Sequence, residues 1–326
     1  MDTKSRILGL LENSRDAYLS GEEIADALQI SRGGVWKAIQ ELKKSGHKIT
    51  AVTNKGYRIA ADSDIVSAQG IESHLRGGIS VGKIHTYASL ESTNKTAKEM
   101  AIAEAPHGTV VTAETQTAGR GRYNREFFSP PEGGLYMSFV LRPDFLRFEN
   151  VTAVTALAAV AVCEAIEAGS SLSPKIKWVN DIYIGGKKVC GILTEAVTDF
   201  ESGCPHWIVL GIGVNVNTPA ALFPDEIRET ATSLNPSGGA PVSRNRLAAE
   251  IIDRVLGEDY PSELEIFGKY KSRLIGLGER VAVLRSGAEL SYEATAVDID
   301  SRGRLVVRMD SGEVRLVSSG EVRLVR

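Results

Sequence analysis

Cysteine and histidine are scarce in this chain, at three and five residues of 326. Cys163, Cys190 and Cys204 fall at no metal-ligand spacing and leave an odd count, which excludes a thiol-based zinc motif and a closed disulfide framework. An excess of either charge is also missing: the net charge is -3, so any affinity for nucleic acid must come from a local patch. The opening residues, MDTKSRILGLLENS, lack the apolar core and cleavage site of a secretory leader. No run reads as long enough to cross a bilayer. These absences predict a reduced, cytoplasmic protein with no membrane partner. What is present is an ordinary globular composition, 43% hydrophobic and 24% charged, at a length that calls for two or three domains.

Residues 1–62 read as a separate unit. Ile7, Leu8, Leu10 and Leu11 recur at helical spacing. Ser20 and Glu23 form a capping box that opens a second helix, and Ser31 caps a third carrying Val35, Ala38, Ile39 and Leu42. The pattern is a helix-turn-helix followed by a hairpin around Asn54, Lys55 and Gly56, which serves as a wing. From Arg32 to Arg58 the bases outnumber the single acid, Glu41, and such a patch is the footprint of phosphate contacts. Ser31, Arg32, Gly33, Trp36, Lys37, Lys43 and Lys55 are the candidate DNA-binding residues, with Trp36 spaced as a partly buried anchor.

A polar linker around Asp62 and Asp64 leads into residues 65–274, where strands and helices alternate and the alanine-rich run from Val151 reads as a buried helix. Residues 275–326 are short alternating strands with glycine turns, the texture of a small barrel. GEVRLV occurs twice there, from Gly312 and from Gly320, and reads as a duplication or as paired edge strands.

Four stretches carry chemistry. TAGRGRYNREFFSP, from Thr117, puts Arg120, Arg122 and Arg125 beside glycines that let backbone amides approach an anion, while Asn124 replaces the third glycine of a dinucleotide fingerprint. By contrast, Arg302, Gly303 and Arg304 read as a plain basic surface turn. KIKWVNDIYIGGKKVCGIL, from Lys175, turns at Gly185 and Gly186. Pairing Ile184 with Lys187 sets Asp181 opposite Cys190 and places Asp181, Tyr183 and Lys188 on one face, with Asp181 and Lys188 diagonal neighbours roughly 7 Å apart at the backbone. In WIVLGIGVNVN, from Trp207, Ile208, Leu210, Ile212, Val214 and Val216 share one face. Val209, Gly211, Gly213 and Asn215 share the other, a bare floor for a flat ligand. Ser92, Thr93 and Asn94 open a helix, where capping and ligand binding are both open readings.

Taken in order, these pieces resemble the bifunctional biotin–protein ligases that double as biotin operon repressors, over nearly the whole chain. Val179 departs from the proline common in that family. Tyr123, Asn124 and Phe127 depart from a more basic, tryptophan-bearing continuation of the loop. The resemblance implies an α+β multidomain fold: a winged helix-turn-helix, a class II synthetase-like central domain with a mixed β-sheet, and an SH3-like C-terminal barrel. It implies activation of biotin with Mg²⁺-ATP to biotinoyl-5'-AMP, then transfer to a lysine of a biotin carboxyl carrier protein. Ser92, Thr93, Asn94, Gln116, Arg120, Gly121, Arg122 and Lys188 would hold biotin. Gly119, Asn180, Gly211, Gly213 and Asn215 would hold the adenylate, and Arg122, Lys188 and Asp181 would serve catalysis. Which residues meet the metal is left open. The adenylate would act as corepressor, favouring a homodimer that binds operator DNA. Three alternatives stay open: a biotin-responsive repressor without ligase activity, a lipoate ligase, and a ligase whose winged helix no longer regulates.

Overall fold

The computed structural model describes residues 2–77, 82–131, 133–143, 151–198, 205–236, 241–257, 261–284 and 290–325. Cys204 lies outside them. At the N-terminus, α1 (Thr3–Asn13), α2 (Gly21–Leu28) and α3 (Arg32–Lys44) close one core around Ile7, Leu11, Ile24, Val35 and Ile39. Ser20 and Glu23 accept each other's backbone amides, and the Ser31 hydroxyl accepts from the Gly34 amide. The wing is the antiparallel pair β1 (Ile49–Val52) and β2 (Gly56–Ile59). Its turn requires glycine at position 56: φ is +105° and a Cβ would meet the Leu19 carbonyl oxygen at 2.0 Å. Trp36 is not the partly buried anchor its spacing predicts; it is 59% exposed. Val35, Ala38, Ile39 and Leu42 already fill the inner face of α3, and one residue on from Val35 the helix has turned outward.

The linker is gripped rather than free. Arg244, only 3% exposed, donates from Nε to Asp64 Oδ2 at 2.8 Å and from a guanidinium nitrogen to Glu114 Oε2 at 2.8 Å. Its backbone amide donates to Asp64 Oδ1 at 2.8 Å, and Asn217 adds a bond to Asp64 at 3.0 Å. A polar stretch without periodicity thus becomes a docking strip onto the central domain.

That domain, entered through α4 (Ala68–Glu72), is built on β3 (Ile84–Tyr87), β4 (Thr109–Ala113), β5 (Gly134–Leu141), β6 (Lys175–Lys177), β7 (Asp181–Ile184), β8 (Lys187–Thr198) and β9 (Pro205–Asn215). The order is β3-β4-β5-β9-β8-β7-β6; β3 and β4 are parallel and all other neighbours antiparallel. One face carries the main core, where Ile208, Leu210, Ile212 and Val214 meet α6 (Val151–Gly169) and two later helices, α8 (Arg244–Leu256) and α9 (Glu263–Arg273). The other face receives α5 (Thr93–Ile102), whose Ala97 and Ala101 pack with Val111, Trp207 and Val209. A short α7 (Asp225–Arg228) precedes the segment that runs beside Lys188. The reading that no run could cross a bilayer is corrected by α6: at 19 residues and a mean hydropathy of 1.8 it is long and apolar enough, but 72% of it is buried inside this protein.

At the C-terminus β10 (Arg280–Leu284), β11 (Leu290–Ile299), β12 (Leu305–Arg308), β13 (Val314–Val317) and β14 (Glu321–Leu324) form an antiparallel sheet in the order β13-β12-β11-β10-β14. The two GEVRLV copies supply its opposite edges and do not pair with each other. The Arg302–Arg304 turn is not a plain surface feature. Trp178 Nε1 donates to the Gly303 carbonyl at 3.0 Å, and a Cβ on Gly303 would meet the Phe267 ring at 2.6 Å. The turn wedges this sheet against the central domain.

Candidate functional site

A cavity of about 150 Å³ opens where the start of α5, the loop after Thr117, the β7–β8 hairpin and the glycine stretch of β9 converge. It gathers Ser92, Thr93, Asn94, Gln116, Arg120, Gly121, Arg122, Asn180, Asp181, Lys188 and Gly211, most of the site expected from the sequence. Gly119, Gly213 and Asn215 do not line it.

At the α5 end, Ser92 has the backbone of a cap but makes no side-chain cap bond. Gln116 replaces it: its Oε1 accepts from the Thr93 amide at 2.8 Å, and its Nε2 donates to Ser129 at 2.8 Å. Asn94 is locked by donating to Glu195 at 2.8 Å, while its Oδ1 lies 2.7 Å from the Ser138 hydroxyl. Sequence reasoning missed Ser138 and Glu195; a polar residue interrupting an apolar stretch, Ser138 in β5 and Glu195 beside Thr194 in β8, was the available signal. Gly211 is bare because Asn94 needs the space: a Cβ there would sit 2.0 Å from Asn94 Oδ1.

The Thr117 loop is a small hairpin. The Phe127 amide donates to the Gly119 carbonyl at 2.9 Å and the Gly121 amide to the Arg125 carbonyl at 2.7 Å. Gly119 serves that close approach, since a Cβ would meet the Phe127 carbonyl oxygen at 2.4 Å. Tyr123 and Asn124 both adopt positive φ, 57° and 56°. Asn124 therefore takes a glycine-like backbone, which asparagine tolerates better than tyrosine does. Phe127 lies over Gly213, where a Cβ would meet its ring at 2.6 Å. The expected bare floor is thus covered at Gly213. Asn215 is buried, donates to the Thr232 carbonyl at 3.1 Å, and keeps an Oδ1 without a hydrogen-bond partner among the described residues.

The cations differ in their partners. Arg120 pairs with Glu91 at 3.5 Å, Arg125 with Glu321 of β14 at 2.6 Å, and Lys188 with Asp181 at 2.7 Å. Arg122 donates to Asn180 Oδ1 at 3.2 Å and to the Tyr123 hydroxyl at 3.1 Å. The β7–β8 register is corrected by a bulge after Ile182: Asp181 pairs with Gly191, and Cys190 faces the core with Ile182. Burial pushes the Cys190 thiol well above its usual range, which removes it as a nucleophile. Burial also raises Glu321, but hydrogen bonds from Arg125 and Arg323 outweigh it and hold that carboxyl below its usual range.

On the winged helix, Arg32, Gly33, Trp36, Lys37, Lys43 and Lys55 are exposed, while Ser31 is engaged as a cap. Glu41 is taken by Lys4 at 3.7 Å. Among the described residues, no carboxylate pairs with Arg32, Lys37, Lys43, Lys44 or Lys55.

Comparison with known proteins agrees with this layout. Residues 3–58 match an HTH domain, residues 87–215 the Biotin/lipoate A/B protein ligase family, and residues 276–325 the Biotin protein ligase C terminal domain. The bifunctional ligase/repressor BirA of Bacillus spizizenii is 36% identical over 98% of this chain and 97% of its own. The bifunctional ligase/repressor BirA of Escherichia coli is 28% identical over 98% of this chain and 96% of its own. Among solved structures, biotin protein ligase from Aquifex aeolicus in complex with biotin and ATP aligns with a TM-score of 0.64 at 30% identity, covering 75% of this chain and 99% of that one.

Proposed function

The chain belongs to the family of bifunctional biotin–protein ligases that also repress, and we propose on that footing that it activates biotin with ATP, passes it to a carrier lysine and represses transcription when loaded with the adenylate. The Lys188–Asp181 pair, in one cavity with Arg120 and Arg122, carries the ligase reading. Two anions must meet there, the biotin carboxylate and the α-phosphate, and only preformed positive charge in a partly dry site cancels their repulsion. Ser92, Thr93, Asn94 and Gln116 would hold the biotin head, and Arg120, Gly121, Arg122 and Lys188 its carboxylate end. Asn180 keeps Arg122 aimed. The carboxylate oxygen attacks the α-phosphorus and pyrophosphate departs.

Gly119 shapes the loop, and Gly211 and Gly213 leave room beside the adenylate. The adenine would reach the unpaired Oδ1 of Asn215 once the Phe127 ring swings off Gly213. In the second step Asp181 would receive the incoming carrier lysine, and the adenylate would give up AMP. Among the described residues no three His, Cys, Asp or Glu side chains cluster to hold a metal, so Mg²⁺ is taken as arriving on the ATP phosphates.

The exposed cations Arg32, Lys37, Lys43, Lys44 and Lys55, without a carboxylate partner among the described residues, favour operator DNA over a winged helix that merely props the ligase. Closure of the Thr117 loop on the adenylate would favour a homodimer, matching two recognition helices to a twofold site. The working boundaries are residues 1–62, 65–274 and 275–326, and the site of action is the cytoplasm.

The test supplies biotin, ATP and a biotin carboxyl carrier domain to the native chain, Lys188→Ala and Arg122→Gly. Biotinylation by the native chain alone supports the reading; no pyrophosphate release by the native chain refutes it. Arg122→Gly should lose about 3 kcal/mol of retained adenylate, the scale of a buried charged partner. Equal DNA affinity with and without biotinoyl-5'-AMP would remove the regulatory half.

A further inference from the structure

Lys177 lines the cavity and belongs to none of the roles above. It ends β6, and the β6–β7 register sets it directly opposite Asp181, so the two share the cavity face of the sheet. Its ammonium lies 5.7 Å from the centre of the Tyr183 ring. Among the described residues it has no ion-pair partner. The nearby carboxylates are already taken, Asp181 by Lys188 and Glu321 by Arg125 and Arg323. Burial holds its pKa below the usual lysine range, while Asp181 and Glu321 pull the other way. A half-buried ammonium without a counter-ion is costly unless an anion arrives.

The strand order says which anion. The biotin end sits under α5 on β9, Lys188 lies one strand further on β8, and Lys177 lies two strands beyond that on β6. Two strand spacings, with the offset along β7 between Asp181 opposite Lys177 and Tyr183 opposite Lys188, put the last two about 12 Å apart at the backbone. A nucleotide whose α-phosphate meets Lys188 extends its β- and γ-phosphates toward β6.

We infer that Lys177 is a catalytic residue of the first half-reaction, binding the pyrophosphate that leaves. This rests on the ligase reading. The biotin carboxylate oxygen forms a bond to the α-phosphorus, and the P–O bond to the bridging α–β oxygen breaks. The electron pair stays with pyrophosphate, and the Lys177 N–H groups meet the charge that develops there. No proton changes hands, and Lys177 has no task in transfer to the carrier.

Lys177→Met and Lys177→Arg test this in two separated half-reactions. With biotin and Mg²⁺-ATP, Lys177→Met should release pyrophosphate about 100-fold more slowly, the scale of one lost electrostatic contact, and Lys177→Arg should recover most of the rate. Transfer from supplied biotinoyl-5'-AMP to a carrier domain should stay within about twofold for both variants. Binding of inorganic pyrophosphate with Mg²⁺, read by calorimetry, should weaken about tenfold in Lys177→Met. Unchanged pyrophosphate release or binding in Lys177→Met would overturn the inference, as would equal loss of both half-reactions in Lys177→Arg. If the native chain releases no pyrophosphate, the ligase reading itself fails first.

Discussion

Lys188 Nζ lies 2.7 Å from Asp181 Oδ1, yet that oxygen receives no aligned hydrogen bond. The pair is held by charge rather than by an aligned hydrogen bond. A carboxylate substrate that claims the ammonium frees the Asp181 carboxylate for an arriving amine. On the proposed reading the two residues divide the reaction. Lys188→Ala should slow adenylate formation by about 100- to 1,000-fold. Asp181→Asn should spare that step and slow transfer from supplied adenylate by about 10- to 100-fold. Parallel rates for the two half-reactions check the division; equal effects of both variants on both steps would refute it.

Gly211 and Gly213 are one face of one strand, but different side chains crowd them. Gly211→Ala drives a methyl into Asn94 and should break its bonds to Glu195 and Ser138. The expected cost is about 1–3 kcal/mol of stability, with loss of biotin affinity by titration. Gly213→Ala instead displaces the Phe127 ring and should change the KM for ATP while biotin affinity holds.

Lys37 is exposed on α3 and unpaired among the described residues. Lys37→Gln should weaken operator binding uniformly across sequences and lower the salt slope by about 1, the signature of one lost phosphate contact. Ligase turnover should not change. A salt titration of the bound fraction decides it.

His47 is buried, and burial holds its pKa below the usual imidazole range. Above about pH 6.5 the folded and unfolded chains both keep it neutral, and it adds nothing to pH dependence. As pH falls below that value the unfolded chain takes a proton that the fold refuses, so stability declines until the folded pKa is passed. His74, His85 and His107 shift in the same direction, each chiefly through burial. Melting temperature should drop by a few degrees between pH 7.5 and 5.5, and by roughly 2 °C less in His47→Gln.

Much of this was legible because it is local. The caps at Ser20 and Ser31, the glycine turn at Gly185 and the alternation along β9 are each written within a dozen residues. The site motifs converge as the order of loops and strands implies. What escaped depends on distant partners or on one inserted residue. Ser138 and Glu195 meet Asn94 across 44 and 101 positions. Glu321 reaches the cavity across 196 positions from Arg125. A bulge moved the partner of Asp181 from Cys190 to Gly191. Trp36 faces outward because its neighbours had filled the core, which spacing alone does not count.

The grip of Arg244 on Asp64 bears on how an operator is read. With the linker anchored on two sides to the central domain, the DNA-reading head has little freedom to pivot or stretch. In the proposed homodimer, two such heads would act as a caliper with a set gap. Inserting or deleting even a few base pairs between half-sites should then abolish cooperative binding, with no flexible tether to absorb the change.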